Sequence, residues 1–168
     1  MIDRIALALF AAGLFAATPA AAQDKNPCPA GLICASDPAT VKAAMEKAGL
    51  KVTQSTDDGG DPMLSANDGY DFDVYFYDCV DHKQCDALRF ELVFKQDPTN
   101  TNDLANQWNV SKRFMQMSVL KDGKLRAAYD VATVGGITPA NFADVLDWWQ
   151  SMSNELDKFF KAQPPAKS

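Results

Sequence analysis

Histidine is nearly absent: the chain has one, His82, in 168 residues. That scarcity limits the chemistry available. A serine or cysteine nucleophile normally needs a base within reach, most often histidine. Zinc sites of the usual kind draw on several His and Cys at short spacings. The chain also lacks G-x-S-x-G, the P-loop and the Gly-rich dinucleotide fingerprint, so hydrolysis and nucleotide chemistry by those routes are not expected. An excess of basic charge is missing too: 22 acidic against 16 basic side chains give a net charge of −6. Such a surface repels phosphate backbones, and nucleic acid is not an expected partner.

Long apolar runs are missing after the first residues. Met1–Arg4 are followed by IALALFAAGLFAA and then TPAAAQD. This order of charge, apolar stretch and small residues is that of a secretory signal peptide, with Ala20 and Ala22 at the −3 and −1 positions of the cleavage site. The run is shorter than the roughly 20 residues that a spanning helix needs. Residues 1–22 are therefore read as a signal peptide. The mature chain is expected to be periplasmic or secreted, with no stable membrane anchor.

Cysteine is sparse but patterned. Cys28 and Cys34 lie in CPAGLIC, Cys79 and Cys85 in CVDHKQC, each pair with five residues between. Four thiols allow three connectivities. Export favours oxidation, and the equal spacing favours two local disulfides, each worth at best about 2–3 kcal/mol in the chain-entropy model. Neither pair has the C-x-x-C spacing of a redox centre, and no metal site is expected. His82 reads as an exposed turn residue. The carboxylates in DDGGD and NDGYDFD lack the spacing of a calcium loop, and Asp71 and Asp73 read as solvent-facing strand residues. No cofactor is expected.

The remaining pattern is α+β. Residues 23–36 form a disulfide-pinned loop, 37–162 one domain, and 163–168 a disordered tail. Ser36 or Asp37 can cap a helix over Pro38–Ala48, with Pro38 in its first turn. Leu50–Ser55 reads as a short strand and Pro62–Ala66 as a marginal one. Tyr70–Cys79 and Asp86–Gln96 alternate apolar and polar residues and bracket CVDHKQC, so they should form an antiparallel hairpin. A second helix runs through Leu104, Ala105, Trp108 and Val110 to about Lys112. Phe114–Leu120 and Lys124–Ala132 flank Asp122-Gly123, a two-residue hairpin signal. Thr138-Pro139 opens a long amphipathic helix. The expected order is α-β-β-β-α-β-β-α, an antiparallel sheet of about five strands with helices on one face.

Polar and aromatic residues supply the candidate site. Gln107, Trp108, Asn109 and Arg113 cluster in sequence. The structural reading buries Trp108 and uses Asn109 and Arg113 for buried backbone or for pairing with Asp130. The functional reading joins Trp108, Asn109 and Arg113 to Tyr75, Tyr77 and Tyr129 as a recognition surface. Trp148 and Trp149 cannot both face one core, so Trp148 is a further candidate, at a dimer seam, a ligand groove or the core's rim.

The segments YDFDVYFYDC, LANQWNVSKRF, AAYDV and FADVLDWW, with the paired cysteines, resemble the YbjN-like family of bacterial proteins. The resemblance covers roughly Asp37 to Phe160. It implies the type III secretion chaperone fold, a class that commonly pairs into dimers and binds extended polypeptide segments. The family's regulatory label describes no chemistry, and the export signal and cysteines set this chain apart from relatives that look cytosolic. The function expected is an exported, non-enzymatic protein-interaction or chaperone-like module, with a protein partner or a homodimer. The alternative is a periplasmic small-ligand-binding or stress-sensing domain.

Overall fold

The computed structural model describes residues 27–163; the signal-peptide reading and most of the expected tail fall outside them. Three helices and six strands follow in the order α1 Pro38–Lys47, β1 Thr53–Thr56, β2 Pro62–Asn67, β3 Asp71–Tyr77, β4 Ala87–Phe94, α2 Asn102–Ser111, β5 Gln116–Val119, β6 Leu125–Ala132 and α3 Pro139–Lys161. The α+β class and the helix positions follow the expectation, and the first run of strands has four members. Pro62–Asn67 is a full strand because Leu64 and Ala66 enter the core. The first strand starts later than Leu50, since Leu50 and Val52 pack against the core ahead of it.

Each helix starts on a side-chain cap. The Asp37 carboxylate accepts from the Ala39 N–H at 3.2 Å. Thr101 accepts from Leu104 and Thr138 from Asn141, each at 3.1 Å. These bonds satisfy amide groups that a helix leaves without internal partners. Proline opens α1 and α3, where its missing N–H costs nothing.

All pairings are antiparallel, and the strand order across the sheet is β1-β2-β3-β4-β6-β5. The β4–β6 pair is the longest, from Ala87 opposite Ala132 to Phe94 opposite Leu125. Period-two alternation sends Phe72, Val74 and Phe76 of β3 and Leu88, Phe90 and Leu92 of β4 to one face. There α3 lays Phe142, Val145, Leu146, Trp149, Met152 and Leu156 onto them. Phe90 sits at the centre, 5.5 Å from the Trp149 ring and 6.4 Å from that of Phe142. Burial of this aromatic and aliphatic face at about 25 cal/mol per Å² is the main driving term.

The N-terminal loop docks against the domain through backbone. Ile33 and Ile137 exchange hydrogen bonds at 2.9 and 3.0 Å, and the Ala35 N–H donates to Thr133 Oγ1 at 2.8 Å. Gly136 permits this approach, because a Cβ there would lie 2.8 Å from Leu32. Cys28 and Cys34 close the loop at disulfide distance, 2.13 Å between sulfurs.

One ion-pair group joins α2 to α3. Glu155 accepts from Lys112 at 2.9 Å and from Lys158, and these two ammonium groups pull its carboxyl down to about 2 from 4.5. A depressed carboxylate contributes stability that is present above its unfolded value and lost as pH falls toward the folded one. Urea midpoints are thus expected to drop between pH 4.5 and 2, and Glu155→Gln is expected to flatten that limb. An unchanged acid limb in the variant would remove Glu155 from the account.

Candidate functional site

The sequence candidates do not converge on one surface; strand register separates them. On β3, Tyr75 and Tyr77 alternate with buried residues and face away from the helices. Their rings lie 6.5 Å apart. Tyr75 sits opposite Arg89 of β4, and Arg89 opposite Asp130 of β6. The Arg89 guanidinium grips the Asp130 carboxylate with two bonds, at 2.6 and 2.9 Å, and its centre lies 5.2 Å from the Tyr77 ring. Burial pushes the Tyr75 hydroxyl up, with the Asp73 and Glu91 carboxylates adding to it. The Glu91 carboxyl is also raised by burial, and Arg126 at 3.8 Å opposes that rise. Ser65 donates to Asp73 at 2.6 Å. This open face is polar, and its charges are largely matched within it.

Tyr129 lies on the other side. Its register partner is Phe90, and it shares the parity of Leu125, Ala127 and Val131. It reaches the margin of the helix-covered face, where Phe114 and Trp148 join it. Phe114 lies 4.5 Å from the Trp148 ring and 5.7 Å from that of Tyr129. Phe114 is 44% exposed and Trp148 37%, whereas the adjacent Trp149 is 3% exposed against Phe72 and Phe90. Burial raises the Tyr129 hydroxyl, and the nearby Asp144 carboxylate adds to that.

Phe114 holds a φ of +66°. A bulky residue in the left-handed region is a genuine outlier, and such conformations persist where the surroundings enforce them. Here the chain must turn sharply between α2 and β5, with Met115 N–H donating to Arg113 C=O at 2.8 Å. The turn leaves the Phe114 ring over Trp148 and Arg113 exposed beside it. Nothing in the sequence around Lys112-Arg113-Phe114 announces a positive φ, which ordinarily selects Gly or Asn.

Trp108 and Asn109 are placed differently. Trp108 is fully buried, its Nε1–H donates to Met115 C=O at 2.8 Å, and its ring meets Phe159 edge-on at 5.3 Å. Asn109 Oδ1 accepts from the Met117 N–H at 2.7 Å, and its Nδ2 donates to the Met117 C=O at 2.9 Å. Asn109 is thus a backbone partner for the edge strand. Asp130, one expected partner of this cluster, is held by Arg89 instead.

The β3–β4 hairpin ends in CVDHKQC. Cys79 and Cys85 lie 2.08 Å apart at sulfur. Asp78, Asp81, His82 and Gln84 all take positive φ there, between 51° and 60°. His82 is exposed, yet its Nδ1 lies 2.9 Å from Asp61 Oδ1. Its ring covers Gly60, where an added Cβ would come within 3.3 Å. The histidine therefore ties this hairpin end to the β1–β2 turn, a contact the sequence does not signal. Among the described residues, no group of three or more His, Cys, Asp or Glu side chains could hold a metal ion. No helix among them is long and apolar enough to cross a membrane.

Comparison with known proteins adds a family and a fold. Residues 37–162 match the family model YbjN, described as "Putative bacterial sensory transduction regulator". Among solved structures, the chain is similar to one titled "Crystal structure of YbjN, a putative transcription regulator from E. coli". The TM-score is 0.51 at 16% identity, covering 74% of this chain and 87% of that one. At that identity the likeness speaks for the fold alone. No curated protein is similar to the chain at a significant level. With an α+β order and a family match over residues 37–162, the chain belongs to the YbjN family.

Proposed function

We propose that this YbjN-family chain is an exported, non-enzymatic protein-interaction module, chaperone-like in fold, acting in the periplasm or outside the cell. The observation that carries the reading is the Phe114–Trp148–Tyr129 corner. It holds exposed aromatic area, rigid side chains and an exposed guanidinium, Arg113, at its margin. Buried aromatic and arginine anchors dominate protein–protein binding energy. Two cysteine pairs at disulfide distance fit an oxidising compartment, in line with the signal-like residues 1–22. The family's description as a regulator is compatible with binding rather than turnover. The occupant proposed is a polypeptide that inserts an apolar side chain against Trp148.

The test compares residues 23–168 with the Phe114→Ala, Trp148→Ala double variant. Crosslinking in the exporting cell, followed by light scattering of the purified complex, reads occupancy. Truncating hot-spot aromatics costs about 2 kcal/mol or more, so the variant is expected to lose about thirty-fold in affinity. Melting should fall, because both rings are more than half covered and pack on each other, Phe114 also on Tyr129, so affinity is compared well below the variant's transition. Equal complex formation by both chains would sink the reading.

A further inference from the structure

A second feature lies away from that corner, where β4 and α3 end and α2 begins. A cavity of about 360 Å³ opens there, within the size range of small-molecule sites. Its floor is apolar: Phe94, Leu104, Leu125 and Phe160. The Phe94 and Phe160 rings meet edge-on at 5.1 Å, and Leu125 is fully buried. Its rim carries one charge of each sign, Lys95 and Asp97. Gln96, between them, lies over Gly123, within 3.1 Å of where a Cβ would sit there.

The rim backbone and the Asp97 carboxylate are held in place before any ligand arrives. Asn100 Nδ2 donates to Lys95 C=O at 3.0 Å and to Gly123 C=O at 2.9 Å, pinning residues 95–100 to the β5–β6 turn. Asp97 Oδ1 accepts from the Thr99 N–H at 2.8 Å and from its hydroxyl at 2.6 Å. Those bonds hold the carboxyl below its ordinary value and orient it. Among the described residues, neither Lys95 nor Asp97 enters an ion pair. A fixed carboxylate and an ammonium, both without an ionic partner, thus flank an apolar floor.

We propose that this cavity binds a small zwitterion with an apolar side chain, the class of free apolar α-amino acids. Its carboxylate meets the Lys95 ammonium, its ammonium meets the Asp97 carboxylate, and its side chain packs on Phe94, Leu104 and Phe160. Charge complementarity selects this class. A simple apolar acid faces repulsion from Asp97, and a simple amine faces repulsion from Lys95; only a ligand carrying both charges matches the rim. The inference does not rest on the protein-partner reading and survives its failure.

Isothermal titration of residues 23–168 with L-leucine and L-phenylalanine tests it. The comparison ligands are 4-methylpentanoate and 3-phenylpropanoate, which lack the ammonium, and 3-methylbutylamine and phenethylamine, which lack the carboxylate. Saturable binding of an amino acid is expected, weakened at least about tenfold when either charged group is removed, as for a lost hydrogen bond to a charged partner. Lys95→Met and Asp97→Asn should each lose a similar factor. The asparagine keeps an acceptor for Thr99, so its melting should match the parent. Absence of saturable binding up to millimolar amino acid overturns the proposal, and so does equal affinity for the deaminated acid.

Discussion

Replacing Trp108 with alanine is expected to lower the unfolding free energy by about 3–5 kcal/mol, the range for emptying a large aromatic site. The ring is fully buried between α2, β5 and the end of α3. Its removal leaves a cavity under Phe159 and strips the Met115 carbonyl of its 2.8 Å donor. Domains of this size are stable by about 5–15 kcal/mol, so the variant should sit near the threshold of folding. Trp108→Phe is the milder variant. It keeps a phenyl ring but loses the donor, at about 1–3 kcal/mol for the unmatched carbonyl, and leaves a smaller cavity than alanine does. Equilibrium urea denaturation measures both. A loss below 1 kcal/mol in the alanine variant would mean that Trp108 is not the plug between α2 and the sheet.

The second large effect belongs to Asn109. Strand β5 forms one edge of the sheet, and an open edge invites another chain to pair with it. Met117 turns its N–H and C=O outward, and the Asn109 carboxamide takes both. A side-chain amide thereby supplies the donor and acceptor that a neighbouring strand's peptide group would supply. Asn109→Leu leaves both groups unmatched. The expected cost is about 2–3 kcal/mol, together with larger species in light scattering than the parent chain forms. Asn109→Asp keeps the acceptor and sets a carboxylate against a carbonyl, so it should destabilise without restoring the edge. A leucine variant with the parent's denaturation midpoint and size distribution would refute the closed-edge account. The physical consequence for function is that interaction by strand addition is disfavoured at β5, which shifts weight to side-chain recognition at the Phe114–Trp148 corner.

Much of this was readable from residue order. The alternation in DFDVYFY and ALRFELVF assigns strands and core face, and Asp-Gly at 122–123 locates a hairpin. Asp37 and Thr138 mark two of the helix starts. The Trp148–Trp149 pair announces that one ring must leave the core. Other features depend on geometry that sequence does not carry. Tyr129 shares the parity of Leu125 and Val131, yet which face that parity occupies relative to Tyr75 is set by the β4–β6 register. The Asn109–Met117 bonds require the α2–β5 turn to fold back on itself, through a phenylalanine in a conformation its type rarely adopts. His82 meets Asp61 only because two turns, far apart in sequence, project from the same end of the sheet. The first strand begins at Thr53 because Leu50 and Val52 are drawn into the core, which a pattern of alternation reads as strand.

We propose that a polypeptide partner docks on the Phe114–Trp148–Tyr129 corner. Photocrosslinking from position 148 addresses it most directly, with p-benzoylphenylalanine placed in turn at positions 148, 77 and 53 of the chain expressed in its native compartment. One discrete polypeptide adduct is expected from position 148, lost when Phe114 is also changed to alanine, with little from the open sheet face at 77 or the β1 edge at 53. No adduct at 148, or an equal one at 53, would contradict it.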